Sequence, residues 1–181
     1  MKNRRYKIMA IFKTANKKGK YHDDEARYDI LRYILQEYKL PHRCFMGYNF
    51  PGLMIEDPTR AAAYYAACMD TTAAKFNKSN GVKVRQFIVS FASQELEDYR
   101  IANEIAHKLS AFYRMEYEMV YAVHEDTGNL NIHIVINSVS YVDGHRYGGT
   151  RKEHHAFLNY AKAVLRPYGI NLWYQSNKET V

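Results

Sequence analysis

The sequence predicts an α/β fold, a two-layer sandwich in which helices pack on a central, at least partly antiparallel sheet. Segments with apolar residues at three- and four-residue spacing alternate with short segments of strand character. A Thr-Gly-Asn turn joins the apolar segments 119–123 and 132–136, which predicts a β-hairpin and therefore antiparallel pairing. No repeat, low-complexity tract or linker interrupts the 181 residues, so one domain is predicted over residues 1–181.

The elements follow from periodicity and from the residues that start and end helices. An apolar stripe after Asp24 predicts the first helix, which Pro41 ends. The pair Asp57-Pro58 predicts the start of the second helix, because an N-cap residue precedes a proline in the first turn. Successive elements are predicted as strand 6–12, a helix between 24 and 41, strand 43–50, helix 58–76, strand 82–91, helix 93–112, strands 113–124 and 132–136, helix 151–166 and edge strand 170–175.

Composition favours a nucleic-acid partner. The net charge of +7 and the pI near 9.3 indicate an anionic partner, with nucleic acid first and a membrane surface second. Two cysteines give no disulfide framework, which is typical of a reducing compartment. No segment approaches the roughly 20 apolar residues that span a bilayer. We therefore expect a cytoplasmic protein without membrane insertion.

The hairpin carries the most informative polar pattern. Side chains alternate along a strand, so Asn131, His133 and Asn137 share one face while the isoleucines between them face a core. If His124 lies opposite Asn131, then His124, Asn131 and His133 collect on one face, with directly paired Cβ atoms about 5 Å apart. The pattern predicts a three-ligand metal site. Solvated polar positions on an open sheet face are the alternative.

Residues 124–137 resemble the third motif of conjugative relaxases, the mobilization nucleases among the HUH endonucleases. That motif has His-x-Asp, then His-hydrophobic-His on the next strand, then Asn four residues on. Residues 87–91, followed by a helix, resemble the second motif, and residues 31–35 resemble the first, which holds the nucleophilic tyrosine. The sequence departs from the family at Asn131, where a relaxase usually has its middle histidine.

The resemblance implies a DNA-nicking enzyme. Tyr33 is expected to attack the scissile phosphate, leaving a 5′-phosphotyrosyl link and a free 3′-hydroxyl. A divalent metal, Mg²⁺ or Mn²⁺, is expected on His124, Asn131 and His133. Asp126 is expected either to orient a ligand histidine or to accept the tyrosine proton, and a turn-capping role is the alternative.

The chain contains 17 tyrosines, and three of them are candidates for the nucleophile. Tyr33 is preferred for its motif context and for its position off the apolar stripe of its helix. Tyr28, on the same helix, and Tyr21, in the preceding loop, are the other candidates.

The resemblance also implies partners and a wider context. The expected partners are single-stranded or duplex DNA at an origin of transfer, the conjugation coupling machinery and an accessory DNA-binding protein. The chain is expected to be the N-terminal part of a longer protein. His145, His154 and His155 are interpreted as surface positions. The residues expected to contact DNA are Ser90, Asn137, Arg146, Arg151 and Lys152.

Two other classes share some of these features. A replication initiator or transposase of the HUH class would have the same metal face, but such proteins usually place the tyrosine after the hairpin. A non-catalytic nucleic-acid-binding module would use the basic charge without chemistry. The tyrosine before the hairpin favours a relaxase.

Overall fold

The computed structural model describes residues 8–15, 21–52, 54–92, 96–125 and 128–175. Within them the chain forms a mixed six-stranded sheet, four α-helices and two short 3₁₀ helices. The strands are β1 (Ile8–Thr14), β2 (Phe45–Tyr48), β3 (Val84–Phe91), β4 (Met119–His124), β5 (Asn131–Asn137) and β6 (Ile170–Tyr174). The helices are α1 (Ala26–Ile34), α2 (Pro58–Lys75), α3 (Tyr99–Ser110) and α4 (Arg151–Leu165), with the 3₁₀ helices Glu37–Lys39 and Arg166–Tyr168.

The predicted α/β class with an at least partly antiparallel sheet is confirmed. The strand order is β2-β4-β5-β3-β1-β6, and every neighbouring pair is antiparallel except the edge pair β1 and β6, which is parallel. The hairpin of β4 and β5 lies inside this order, between β2 on one side and β3 on the other. The pair that carries the site is therefore supported on both sides by other strands.

The helices cover both faces of the sheet, so the sheet is the middle of three layers rather than one of two. Helices α3 and α4 pack on the face that carries the isoleucines of β5. Helices α1 and α2 pack on the opposite face, against Val120, Ala122 and Val135. The reason is that α1 has its own apolar stripe, including Leu31 and Ile34, which must also be buried. The sheet face that carries Asn131, His133 and Asn137, here called the site face, is consequently open over only part of its length.

Local sequence explains where the helices begin. Asp57 accepts a hydrogen bond from the backbone N–H of Arg60 at 2.7 Å, and Pro58 opens α2, as predicted. Thr150 and Glu153 form a capping box at the start of α4. Helix α3 starts at Tyr99 instead of residue 93, and residues 93–95 lie outside the described part of the chain.

Helix α1 ends earlier than predicted. It stops at Ile34, and the chain continues through the 3₁₀ helix instead of running as one helix to Pro41. Tyr38, which the stripe pattern placed on the buried side, is largely exposed. Among the described residues, no helix has the length and apolar character needed to cross a bilayer.

Candidate active site

The register of three central strands gathers the polar residues of the hairpin. His124 on β4 and Ser90 on β3 both lie opposite Asn131 on β5, and His133 follows Asn131 on the same face. The ring centroids of His124 and His133 are 4.0 Å apart. Both imidazoles are nearly enclosed, with 2% and 6% of their surface exposed. The predicted register is therefore the observed one.

Hydrogen bonds fix the orientation of both imidazoles. Nε2 of His124 lies 2.8 Å from the main-chain oxygen of Ile34, which can only accept, so His124 donates. Nδ1 of His133 lies 3.0 Å from the side-chain nitrogen of Gln86, and the Gln86 oxygen accepts from the Tyr21 hydroxyl at 2.9 Å. The His124 contact is of the kind that orients metal-site histidines, which donate the second ring N–H to an acceptor. At His133 the direction is reversed, because the Gln86 amide nitrogen donates to Nδ1.

The environment of His133 favours its neutral form. Burial lowers the pKa of His133 well below its ordinary value, and the nearby His124 and Lys39 lower it further. A neutral imidazole is the form that binds a metal ion. The electrostatics therefore suit His133 as a ligand at neutral pH.

Asn131, opposite His124, carries a side-chain oxygen that could bind a divalent metal ion. Its side-chain oxygen accepts a hydrogen bond from the Ser90 hydroxyl at 2.6 Å, and its amide nitrogen donates to the main-chain oxygen of Asn129 at 3.3 Å. Within the described residues, no group of three His, Cys, Asp or Glu side chains could hold a metal ion. Two imidazoles with one carboxamide oxygen remain, and this donor set fits a divalent metal.

Tyr33 lies against the two histidines. Its ring centroid is 6.1 Å from that of His124 and 6.2 Å from that of His133. The side chain is 46% exposed, so it can be reached from solvent. Tyr33 lies here because it is in the last turn of α1. The end of that helix is held next to His124 by the hydrogen bond from His124 to the main-chain oxygen of Ile34.

The other two candidate tyrosines have different surroundings. Tyr21 is buried and donates to Gln86, and burial together with the nearby Tyr33 raises the pKa of Tyr21 to about 12. Tyr28 is half-buried, with the Arg32 guanidinium 5.7 Å from its ring centroid. Tyr33 is the candidate whose ring lies beside both histidines.

Lys39 is a site residue that sequence reasoning missed. Its ammonium nitrogen lies 3.5 Å from the centroid of the Tyr33 ring, and only 4% of the residue is exposed. A lysine five residues beyond the end of α1 gives no sequence signal for this contact. Only the 3₁₀ helix that follows α1 directs it back toward the ring.

An open cleft of about 400 Å³ borders His133. Its lining includes Tyr21, Tyr33, Gln86, Ile88 and His133. Aromatic and apolar surface next to a few polar groups is typical of a ligand site. The cleft gives a substrate access to Tyr33 and His133 from the same side.

The surroundings of Asn137 are those of a structural residue, which does not agree with the predicted DNA contact. Its side chain is completely buried. The amide accepts from Arg27 at 3.3 Å and donates to Glu118 at 2.8 Å and to the main-chain oxygen of Met69 at 3.1 Å. Strand periodicity placed Asn137 on the site face correctly, but α1 and α2 cover that end of the face.

Arg146 is also held by the protein itself. Its guanidinium donates to the main-chain oxygens of Val82 at 2.9 Å and Lys78 at 2.7 Å, and to the Ser138 hydroxyl at 3.2 Å. These contacts tie the segment after β5 to the loop before β3. These bonds favour a structural role for Arg146 over the predicted DNA contact.

The remaining predicted residues are not gathered with the histidines, or lie outside the described chain. Arg151 and Lys152 are exposed at the start of α4, which packs on the opposite face of the sheet from α1. Arg151 lines a separate cavity of about 620 Å³ with Arg85 and His154. Asp126 lies outside the described residues.

Comparison with known proteins finds two similarities. Residues 49–170, about two-thirds of the chain, match the MobA/VirD2-like relaxase nuclease domain family. The protein named Protein rlx from Staphylococcus aureus is 31% identical over 102 residues, which cover 56% of this chain and 31% of that relative. The chain thus spans about a third of the length of this curated relative. The hairpin lies inside the family match, whereas Tyr33 and Lys39 precede it.

Proposed function

The chain belongs to the MobA/VirD2-like family of relaxase nuclease domains, and from this premise we propose that it nicks one strand of DNA at an origin of transfer through Tyr33. The observation that carries the proposal is the approach of the Tyr33 ring to within 6.1 and 6.2 Å of the two histidine rings. A nucleophile and a phosphate-activating site must be this close for one phosphate to meet both.

The reaction is a transesterification. The Tyr33 hydroxyl oxygen forms a bond to the scissile phosphorus while the bond from phosphorus to the 3′-oxygen breaks. The phenol gives up one proton and the 3′-oxygen gains one, so the products are a 5′-phosphotyrosyl link and a 3′-hydroxyl. Asp126, two residues after His124 in the sequence, is our candidate acceptor for the phenol proton.

We propose that His124, Asn131 and His133 hold a divalent metal ion, Mg²⁺ or Mn²⁺. Such an ion would polarise the phosphate oxygens and offset the charge that develops in the transition state. His124 also bonds the main-chain oxygen of Ile34 and so positions the end of α1 that carries Tyr33. Gln86 orients His133, and Ser90 orients Asn131.

The wider biology follows from the proposed activity. Conjugative transfer or mobilization requires a nicked strand in the cytoplasm, coupling machinery to receive it, and in many systems an accessory DNA-binding protein. We propose Arg151 and Lys152 as phosphate contacts, because both are exposed cationic side chains at the start of α4, and Arg151 lines a cavity together with Arg85. Their distance from the hairpin face makes them contacts for flanking DNA.

The experiment is a test for a covalent adduct. The nick position is first mapped by primer extension on plasmid DNA that carries the origin region. A labelled single-stranded oligonucleotide across that position is then incubated with the full chain and Mn²⁺ and run on a denaturing gel. We expect a shifted covalent band with the wild type and with Tyr28→Phe, and none with Tyr33→Phe.

Each other outcome has a definite meaning. An adduct that persists in Tyr33→Phe would show that another tyrosine is the nucleophile. Binding of the oligonucleotide by the wild type without any adduct would indicate a non-catalytic nucleic-acid-binding module. Tyr28→Phe serves as the matched control, since it removes a hydroxyl from the same helix without touching the histidines.

A further inference from the structure

Lys39 is held in place by the backbone around it. It ends the 3₁₀ helix, where its N–H donates to the main-chain oxygen of Gln36 at 3.0 Å. Its own main-chain oxygen accepts from the N–H of Glu125 at 3.1 Å, one residue beyond His124. The segment after α1 is thereby fastened to the end of β4, and Lys39 stays beside Tyr33.

Three cationic side chains are buried in the described part of the chain, and Lys39 differs from the other two. Arg27 pairs with Asp70 at 2.6 Å, and Lys83 pairs with Asp24 at 2.9 Å. The Lys39 ammonium nitrogen lies 3.5 Å from the centroid of the Tyr33 ring and 5.5 Å from that of the Tyr38 ring. Among the described residues, no carboxylate forms an ion pair with it. Buried charges normally have an ionic partner.

The position of Lys39 indicates which anion its ammonium group binds. Its ammonium nitrogen faces the ring of the residue that we propose as the nucleophile, and the phosphate to be attacked must lie next to that residue. A phosphodiester carries its negative charge on the two non-bridging oxygens. A lysine ammonium is a compact charge that binds phosphate without a fixed orientation.

We propose that Lys39 binds a non-bridging oxygen of the scissile phosphate and is a catalytic residue of the nicking step. This inference rests on the proposed function. The ammonium draws the phosphate toward Tyr33 and offsets the charge on the non-bridging oxygens as phosphorus exchanges one oxygen for the other. The contact with the ring also restrains Tyr33 in the absence of DNA.

The test removes the charge and compares two substrates. Lys39→Met keeps the length and apolar stem of the side chain, and Lys75→Met is the control, since Lys75 is exposed and lies over the Phe76 ring at 5.1 Å. Single-turnover adduct formation is measured on the mapped oligonucleotide. Lys39→Met should slow it by about 10²–10³-fold, and Lys75→Met should leave it unchanged.

The second substrate carries a methylphosphonate at the scissile position, which replaces one charged oxygen by a methyl group. If Lys39 acts on the negative charge of the phosphate, the wild type and Lys39→Met should form the adduct on this neutral substrate at rates within a few-fold of each other. An equal proportional loss on both substrates would overturn the inference and indicate a structural role. Thermal unfolding verifies that Lys39→Met is folded. If Lys39→Met does not fold, Lys39→Gln is used in its place.

The outcomes separate the two proposals. Wild-type protein that forms no adduct at all refutes the proposed function and the role of Lys39 with it. Wild-type adduct formation with an unimpaired Lys39→Met refutes the role of Lys39 alone. An adduct that persists in Tyr33→Phe refutes the choice of nucleophile. In that case the comparison of the two substrates still decides whether Lys39 binds the scissile phosphate.

Discussion

His124 donates a hydrogen bond of 2.8 Å to the main-chain oxygen of Ile34, the residue that directly follows Tyr33. One side chain of the hairpin therefore holds the end of the helix that carries the proposed nucleophile. The two parts of the site are about ninety residues apart in sequence, and this bond joins them before any substrate is present. A site arranged in advance avoids the cost of ordering it during the reaction.

We expect His124→Ala to damage both chemistry and stability. It removes a proposed metal ligand, so adduct formation with Mn²⁺ should be lost. It also leaves the buried Ile34 oxygen without this donor, which should lower the free energy of unfolding by about 1–3 kcal/mol. Urea unfolding with a chelator present measures the second effect without metal.

His155→Ala is the matched control, because His155 is exposed on α4 and away from the hairpin face. It should change neither quantity. A His124→Ala protein that forms the adduct at the wild-type rate would contradict the proposed metal site.

Tyr21→Phe distinguishes the buried tyrosine from the nucleophile. Because the Tyr21 hydroxyl donates to Gln86 and its pKa is raised to about 12, Tyr21 stays protonated throughout the pH range of an ordinary nicking assay. The variant should therefore form the adduct within a few-fold of the wild-type rate. Loss of the adduct in Tyr21→Phe, with Tyr33 intact, would make Tyr21 the nucleophile.

The same pKa predicts a pH dependence of stability. A tyrosine in an unfolded chain ionises near pH 10, whereas folded Tyr21 holds its proton up to about pH 12. The stabilising contribution of Tyr21 is thus fully present below pH 10 and is lost as the pH rises from there toward 12. Over that interval, the unfolding free energy measured in urea should fall more steeply for the wild type than for Tyr21→Phe.

The sequence predicted the hairpin register because two simple rules determine it. Side chains alternate along a strand, and a turn between two apolar segments leaves few possible pairings. The pairing of His124 with Asn131, which the sequence offered as a condition, is the one observed, and it turns the isoleucine face to the core. The same alternation placed Asn137 on the site face, but it contains no information about which helices cover that face.

Lys39 could not be predicted for a different reason. The apolar stripe extended to Tyr38 and indicated one helix as far as Pro41, which would have directed Lys39 away from Tyr33. The chain instead leaves the helix after Ile34 and forms a 3₁₀ helix. That change depends on bonds to distant residues, such as the one from Glu125 to the Lys39 oxygen, and local spacing does not encode them.

Asn131→His should change which metals the site binds. An imidazole at this position would lie opposite His124 and beside His133, and nitrogen ligands favour Co²⁺, Ni²⁺ and Zn²⁺ over Mg²⁺. We expect tighter Ni²⁺ binding and a weaker response of nicking to Mg²⁺. Competition with a chelating dye measures the affinity. Asn129→His, two residues away, is the control, and equal Ni²⁺ affinities in the two variants would contradict Asn131 as a ligand.

Asn137→Ala should act on stability alone. The substitution leaves Arg27, Glu118 and the Met69 oxygen without the hydrogen bonds that Asn137 provides. The free energy of unfolding should fall by about 1–3 kcal/mol, while the folded protein binds DNA as the wild type does. Fluorescence anisotropy with a labelled oligonucleotide, at a temperature where the variant is folded, measures the affinity. Weaker DNA binding at unchanged stability would restore the predicted DNA contact.

Arg151→Ala should have the opposite effect, lowering DNA affinity without changing stability. Arg151 is exposed at the start of α4, so its removal should leave the melting temperature unchanged. If it contacts phosphate, DNA affinity should fall to a similar degree for every sequence, and the slope of log affinity against log salt concentration should decrease by about 1. Arg146→Ala is the matched control, because its guanidinium is bonded to main-chain oxygens of the loop before β3. That variant should lower the melting temperature and leave the salt slope of the folded protein as it is, and an unchanged slope in Arg151→Ala would exclude Arg151 from the DNA contacts.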